Sequence, residues 1–326
     1  MKGSLIISLD FELLWGVIEK PYVRAYAESN VRNVPEVVDR MLRLFEKYGV
    51  KATFSTVGLL MCRDKEEAIQ YSPTKKPSYN NQKLSPYGDY LNGLSKEDYS
   101  LYFAPMLVEK LRKCKNVEIG THTYCHYYCY EEGQTLEEFA QDLLAANNIA
   151  AIYGIKLQSI VFPRNNVKSE YLEICCENGI ICYRGNATKF FGKPKNKIHR
   201  LKNKLGRLLD SYIPLTTSNS YDYSSLILKK GCPVNIPASR FFRPYNKRLA
   251  LLETLRINRI KKEIINAAKK GRMYHLWWHP HNFGDNIELN LKNLELVLKC
   301  YADCHAKYGM QSYTMSELAE MIISKK

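Results

Sequence analysis

No apolar run in these 326 residues approaches the ~20 that a membrane span requires. The first apolar stretch, Gly3 to Leu9, stops at Asp10 and is too short for the core of a secretory leader. A spanning helix is therefore not expected, and Leu5 to Leu9 reads as a first buried strand. The 10 cysteines include no CxxC pair. In a chain of this length with no leader read at its start, they are expected to be reduced thiols of a cytoplasmic protein. Cys125, Cys129, Cys175, Cys176 and Cys182 could be grouped as a structural zinc site, but free cysteine is among the most buried residue types and burial is the plainer reading. Internal repeats and low-complexity tails are absent, so 1–326 is expected to form one domain. Acids are scarce: 33 Asp and Glu face 48 Lys and Arg, a net charge of +15. The cations cluster at Lys193 to Arg207, a run without an acid, and at Arg256 to Arg272. Such clusters suit a phosphate-bearing substrate or peripheral contact with an anionic membrane surface. No nucleic-acid module is recognisable, so no nucleic-acid partner is expected.

What is present is alternation. Val34 to Tyr48 places Val34, Val37, Val38, Met41 and Phe45 at helical spacing, with Gly49 as its stop. Lys51 to Val57 then reads as a strand. Helices are predicted at Tyr99 to Cys114, Leu136 to Tyr153, Lys168 to Asn178, Ile257 to Lys270 and Ile287 to Lys307, with strands near Val117, Ser159, Ile180 and Met273. Strand and helix in alternation imply an α/β chain with a parallel sheet whose carboxyl ends share one face. Two stretches break the pattern, 61–95 and 215–243. Both are expected to be loop insertions; the first, rich in tyrosine, reads either as decoration or as a binding loop that stacks sugar rings beside the cleft, and the second lacks a clear period.

Three separated segments carry the chemistry, each at a predicted strand: Asp10-Phe11-Glu12, His122-Thr123-Tyr124-Cys125-His126, and His275 to His281. On an extended strand Asp10 and Glu12 project to one side, where two acids repel unless a cation lies between them. One can then bind metal while the other acts as a base; alternatively they are a strand end and a helix N-cap. His122 and His126, at i and i+4, would share one face of a helical turn. Two histidines and one carboxylate are a known catalytic zinc set. In the third segment His275 and His279 would share a side with Trp277, and His279, at the strand's end, is assigned to chemistry. The other reading there makes His275 and the tryptophans core and leaves His281 exposed.

With these segments the chain resembles the polysaccharide deacetylases, carbohydrate esterase family 4 or the NodB-homology group. Gly49-Val50-Lys51-Ala52-Thr53-Phe54 is similar to that family's second strand, and His122-Thr123-Tyr124-Cys125-His126 matches its H-[ST]-x-x-H metal motif. His279 falls where the family has a late histidine. The resemblance implies a distorted (β/α) barrel with its active site at the strands' carboxyl ends, removing acetyl groups from sugars with one divalent metal ion, expected to be zinc. It carries the metal ligands onto Glu12, His122 and His126, the base onto Asp10 and the acid onto His279. In the family's first motif the two acids are adjacent, whereas Phe11 separates them here. The family's arginine–proline motif is replaced by Phe162-Pro163-Arg164-Asn165. Arg164, Asn165, Trp278, His281, Arg184 and Arg243 are the candidates for substrate binding, Arg164 also for steadying the base. The expected substrate is an N-acetylated sugar, a cytoplasmic glycan precursor linked to a nucleotide or lipid. Other readings are an amidohydrolase for a different C–N bond, a deformylase or cyclic-amide hydrolase, and an inactive glycan-binding protein.

Overall fold

A computed structural model describes residues 1–19, 23–187, 197–213, 218–226 and 228–325. The basic run Lys193 to Arg207 lies largely outside the described residues and side chains. Strand β1 (Ser4–Phe11) is buried along all eight residues. Its apolar side chains point to both faces, which only a strand covered on both sides tolerates. It pairs in parallel with β2 (Ala52–Thr56), and β2 with β3 (Val117–Thr121). Beyond these lie β4 (Ser159–Ile160), β5 (Cys182–Tyr183) and β6 (Val234–Asn235), while β7 (Arg240–Phe241) joins β8 (Met273–Trp278) on the other side of β1. Strand β9 (Gln311–Tyr313) also pairs β1, against Ser4 to Ile6. Every pairing between these strands is parallel.

The sheet curls into an open barrel. Residues 234–241, the end of the stretch that showed no period, run extended between its two edges. Val234 N–H and Ile236 N–H donate to Ile181 and Tyr183, whereas Ser239 N–H and Phe242 N–H donate to His275 and Trp277. Segments of two residues are too short to show an alternation in sequence, which is why β6 and β7 were not expected.

Among the described residues, eight α-helices of eight residues or more pack around the sheet: α1 (Val34–Tyr48), α2 (Pro105–Lys113), α3 (Leu136–Ile152), α4 (Glu170–Glu177), α5 (Lys197–Tyr212), α6 (Glu253–Lys270), α7 (Ile287–Tyr308) and α8 (Met315–Ile323). Gly49 ends α1 at φ 62°, a left-handed conformation that glycine adopts without a Cβ penalty. Helix α2 is shorter than expected because Pro105 occupies its first turn and residues 96–101 form a separate 3-10 turn. Thr135 and Glu138 form a capping box at α3, worth about 1 kcal/mol.

The tyrosines of 61–95 do not stack on the cleft as the binding-loop reading has it. Tyr79 and Tyr87 are buried, the Tyr79 ring lies 5.7 Å from Tyr127, and Tyr90 and Tyr102 share a 2.7 Å hydroxyl contact. Tyr90 and Tyr102 pack on Trp15, whose indole N–H donates to the Tyr102 carbonyl at 2.7 Å, and Tyr79 packs on Tyr127 and Tyr128. Burial of the rings outweighs their use as a surface.

His275 locks the curl. Its Nδ1 bonds the Ile236 carbonyl at 3.1 Å and its Nε2 accepts from the Ser8 hydroxyl at 2.8 Å. Burial, with the Arg184 guanidinium adding to it, pushes this ring down to about 3 from 6.5. A depressed histidine contributes stability that is complete above pH 6.5 and is lost as pH falls from 6.5 toward 3. The melting temperature of His275→Gln, followed by circular dichroism, should fall less steeply across that window than wild type; equal slopes would acquit His275.

Candidate active site

At the carboxyl end of β1 the two acids take different environments. Asp10, 2% exposed, is held by a bidentate bond: Arg184 Nη1 donates to Oδ1 at 2.6 Å and Nη2 to Oδ2 at 2.8 Å. Burial alone would raise its carboxyl, but Arg184, His279 and His122 together hold it below the ordinary value. Arg184 is fully buried beneath the site, donating to Ser8 Oγ and Asn165 Oδ1, with the Trp277 ring 4.2 Å from its guanidinium carbon. It therefore positions Asp10 rather than reaching substrate as expected. Sequence offered no means of ranking it, because it arrives from just beyond β5.

Glu12 occupies the N-cap position of a 3-10 turn, Leu13–Val17, yet its side chain makes no cap bond. Instead Oε2 lies 3.2 Å from both His122 Nε2 and His126 Nε2. Gly16 makes room for it: a Cβ there would stand 2.1 Å from Glu12 Oε1. Burial opposes ionisation of Glu12, but His279, His122 and His126 outweigh it and hold the carboxyl well below its usual range.

The two histidines do not sit on a helical turn. The chain leaves β3 as an irregular loop with Thr123 at φ 65° and His126 at φ 58°. Several bonds fix this shape. Thr123 and Tyr124 carbonyls accept from Gly58 and Leu59, and Thr123 Oγ1 accepts from Tyr127 N–H at 2.7 Å. Asp142 of α3 accepts from the backbone of Tyr124 and Cys125 at 2.7 and 3.2 Å. Asp142 was not singled out in sequence; its only signal is an acid among the apolar positions of its helix. His122 Nδ1 donates to the Val161 carbonyl at 2.7 Å, which leaves a lone pair on Nε2. That Nε2 is buried without a hydrogen-bond partner, being near Glu12 but not aligned with it.

Among the described residues, Glu12, His122 and His126 offer donor atoms all within 4.8 Å of one another. Burial drives the His126 ring down more than Glu12 draws it up. A neutral imidazole beside an ionised carboxylate leaves a buried negative charge, which a divalent cation offsets. The orphaned Nε2, the second-sphere carbonyl and the nitrogen–oxygen donor set all fit such an ion.

His279 follows β8 and faces the acids, its Nε2 3.6 Å from both Asp10 Oδ2 and Glu12 Oε1. Asn282 Nδ2 donates to its Nδ1 at 3.1 Å while Asn282 Oδ1 accepts from Tyr26 hydroxyl at 3.0 Å. In this arrangement the ring proton sits on Nε2. His281 is buried, not exposed, stacked 5.1 Å from His279, and burial together with His279 pushes it down to about 3. Trp278 does not reach the site; it is fully buried between Phe45, Phe242 and Phe283, and its neighbour Trp277 faces the cleft. Strand parity explains the exchange, since Trp277 and His279 point to one side. Arg243 lies away from the cleft, donating to Ser211 Oγ at 2.8 Å.

A cavity of about 400 Å³ opens over this floor. Asp10, Glu12, His126, His279 and His281 form its polar side, and Val17, Tyr26 and Trp277 an apolar one. Arg164 and Asn165 border it, both at positive φ. Arg164 does not touch Asp10; it pairs with Glu19 at 2.6 Å and lies over Tyr128 at 4.0 Å.

Residues 31–181 match the model of the polysaccharide deacetylase family. The likeness to that family covers this stretch, less than half of the chain. The match spans His122, His126 and Asp142, whereas Asp10, Glu12, Arg184 and His279 lie outside it and meet them through the fold. No curated protein matches the chain in sequence. Among solved structures, a candidate polysaccharide deacetylase from Mycobacterium smegmatis aligns at a TM-score of 0.60 and 12% identity, over 100% of this chain and 92% of that one. A deacetylase-type protein from Pseudomonas aeruginosa PAO1 aligns at 0.54 and 12%, over 97% and 89%. Puue allantoinase aligns at 0.55 and 12%, over 97% and 89%. At these identities the likeness is one of fold.

Gly16→Ala should test the cradle directly. Its Cβ must displace Glu12, so zinc affinity measured by calorimetry should fall about 10- to 100-fold while the far-ultraviolet spectrum is unchanged. Unaltered affinity would remove Glu12 from the ligand set.

Proposed function

We propose that the protein is a divalent-metal-dependent deacetylase acting on an N-acetylated sugar. The observation carrying this reading is the group Glu12, His122 and His126 on the cavity floor, with Asp10 and His279 facing each other across it. Zinc is the metal we favour, from two imidazoles and one carboxylate. Held by Glu12, His122 and His126, such an ion would supply Lewis-acid chemistry, polarising an acetyl carbonyl and acidifying a water.

The remaining steps belong to the chain. Asp10 accepts the proton of the attacking water; Arg184 keeps it ionised and fixes its plane. His279 presents Nε2–H as a hydrogen-bond donor toward the leaving nitrogen, and Asn282, held by Tyr26, keeps that tautomer. The proton that leaves with the amine is the one Asp10 took from the water. The cavity has room for a single sugar ring, with Trp277 and Tyr26 supplying an apolar wall. The net charge of +15 supports a substrate that also carries phosphate, as an intracellular nucleotide- or lipid-linked precursor would.

Acetate release from N-acetylglucosamine and from its nucleotide diphosphate form should depend on metal. A chelator should abolish it and zinc restore it. Asp10→Asn should keep one equivalent of metal and lose about 10²- to 10⁴-fold in turnover, whereas His126→Ala should lose metal and turnover together. Arg184→Met should behave as Asp10→Asn does. Metal binding with hydrolysis of a cyclic or formyl amide but no acetate would replace the sugar reading by the other amidohydrolase one.

A further inference from the structure

Beyond the cleft, a second face carries apolar side chains with solvent over them. Leu205 and Leu209 of α5, and Ile213 just past its end, are 55%, 45% and 54% exposed. Spaced four apart, they form one row. Leu251, Leu252 and Leu255, at the junction of the turn 247–252 with α6, are 97%, 37% and 49% exposed. Two groups of ion pairs lie between the sets. Asp210 accepts from Arg259 at 3.0 Å and Arg240 at 3.3 Å, Glu253 accepts from Arg256 at 2.6 Å, and Arg256 donates to the Arg243 carbonyl at 2.5 Å. The end of α5 is thus fixed beside the start of α6.

These pairs also set the charge that solvent meets. Asp210 is the sole acid in 197–213 and Glu253 the first after Asp222, and both are buried against arginines. Lys202, Lys247 and Arg248 are exposed. Solvent therefore sees leucines bordered by cations whose neighbouring acids are turned inward. A second copy of this chain is a poor occupant, because an isologous pairing would set cations against cations. The face also adjoins the cavity: the Phe241 ring lies 5.9 Å from His279 and 5.9 Å from the Arg243 guanidinium. No helix among the described residues is long and apolar enough to cross a membrane.

We propose that this face docks peripherally on an anionic lipid bilayer. The leucines enter the headgroup–acyl boundary and Lys202, Lys247 and Arg248 meet the headgroups. Docking brings the cavity rim to the surface, where a lipid-linked sugar is presented; that last step rests on the deacetylase reading, the docking does not.

Flotation of the full chain with vesicles tests it. Wild type should bind phosphatidylcholine–phosphatidylglycerol vesicles on the order of 100-fold more tightly than phosphatidylcholine alone, and raised salt should weaken the binding. Leu251→Ser with Leu255→Ser should weaken it roughly tenfold, and Lys247→Glu with Arg248→Glu should remove the preference for anionic lipid. These positions are exposed, so melting temperature and acetate release from a soluble sugar should not change. No partition, equal partition onto both vesicles, or indifference to the leucines would overturn the proposal. So would a dimer in light scattering that the leucine changes convert to monomer. Loss of acetate release in wild type with vesicle binding intact would instead strike the deacetylase reading.

Discussion

Two carboxylates buried at the end of one strand cannot be left uncompensated. Asp10 and Glu12 are 2% and 5% exposed, and desolvating ionised carboxyls costs several kcal/mol apiece. The chain meets the two demands differently. Asp10 receives a fixed cation, the buried Arg184 guanidinium, in bidentate geometry. Glu12 receives no arginine or lysine among its described contacts, only imidazoles at 3.2 to 3.9 Å. Burial drives His126 and His281 toward neutrality, and a neutral imidazole does not balance a carboxylate, so a cation from outside the chain fits the Glu12 side of the site. The proposed division of labour, with Asp10 as base and Glu12 as ligand, rests on that asymmetry.

The fold exists to make those environments coincide. Parallel pairing of β1 with β2 and β8 sends all their carboxyl ends to one face, so His279 comes opposite the acids, and β3 delivers His122 and His126. Beyond the strand ends, geometry is held by strain. Among the described residues, the non-glycine residues at positive φ are Leu13, Thr123, His126, Arg164 and Asn165, which lie in the loops after β1, β3 and β4. Each costs of order 1 to 3 kcal/mol and persists because surrounding bonds over-determine it. Asp142 illustrates the means: burial raises its carboxyl to about 6 even though it accepts two backbone N–H groups, and it holds the loop between the two histidines.

How much of this the sequence disclosed depended on the range of the signal. The strands β1, β2, β3 and β8 were legible because each is an apolar run, and the grouping of Glu12, His122 and His126 because each belongs to a recognisable segment at a strand's end. The shape of the His122 to His126 loop was not: the i, i+4 spacing that suggests a helix is equally met by a loop with two left-handed residues. Arg184 could not be preferred over Arg164 or Arg243, since all three follow strands and only the curl of the sheet decides which one lies beneath Asp10. Trp278 was misplaced although alternation along β8 assigns Trp277 to the cleft. The tyrosines of 61–95 suggested a binding loop, and became packing because their rings had Trp15 and Tyr127 to cover.

The account stands or falls on the cation beside Glu12. Anomalous scattering from a crystal of the zinc-soaked protein, collected on both sides of the zinc absorption edge, measures it most directly. A single edge-dependent peak within bonding distance of Glu12, His122 and His126 is the predicted result. An empty site at full zinc loading, or a peak bound elsewhere with Glu12 paired only to its histidines, would contradict it.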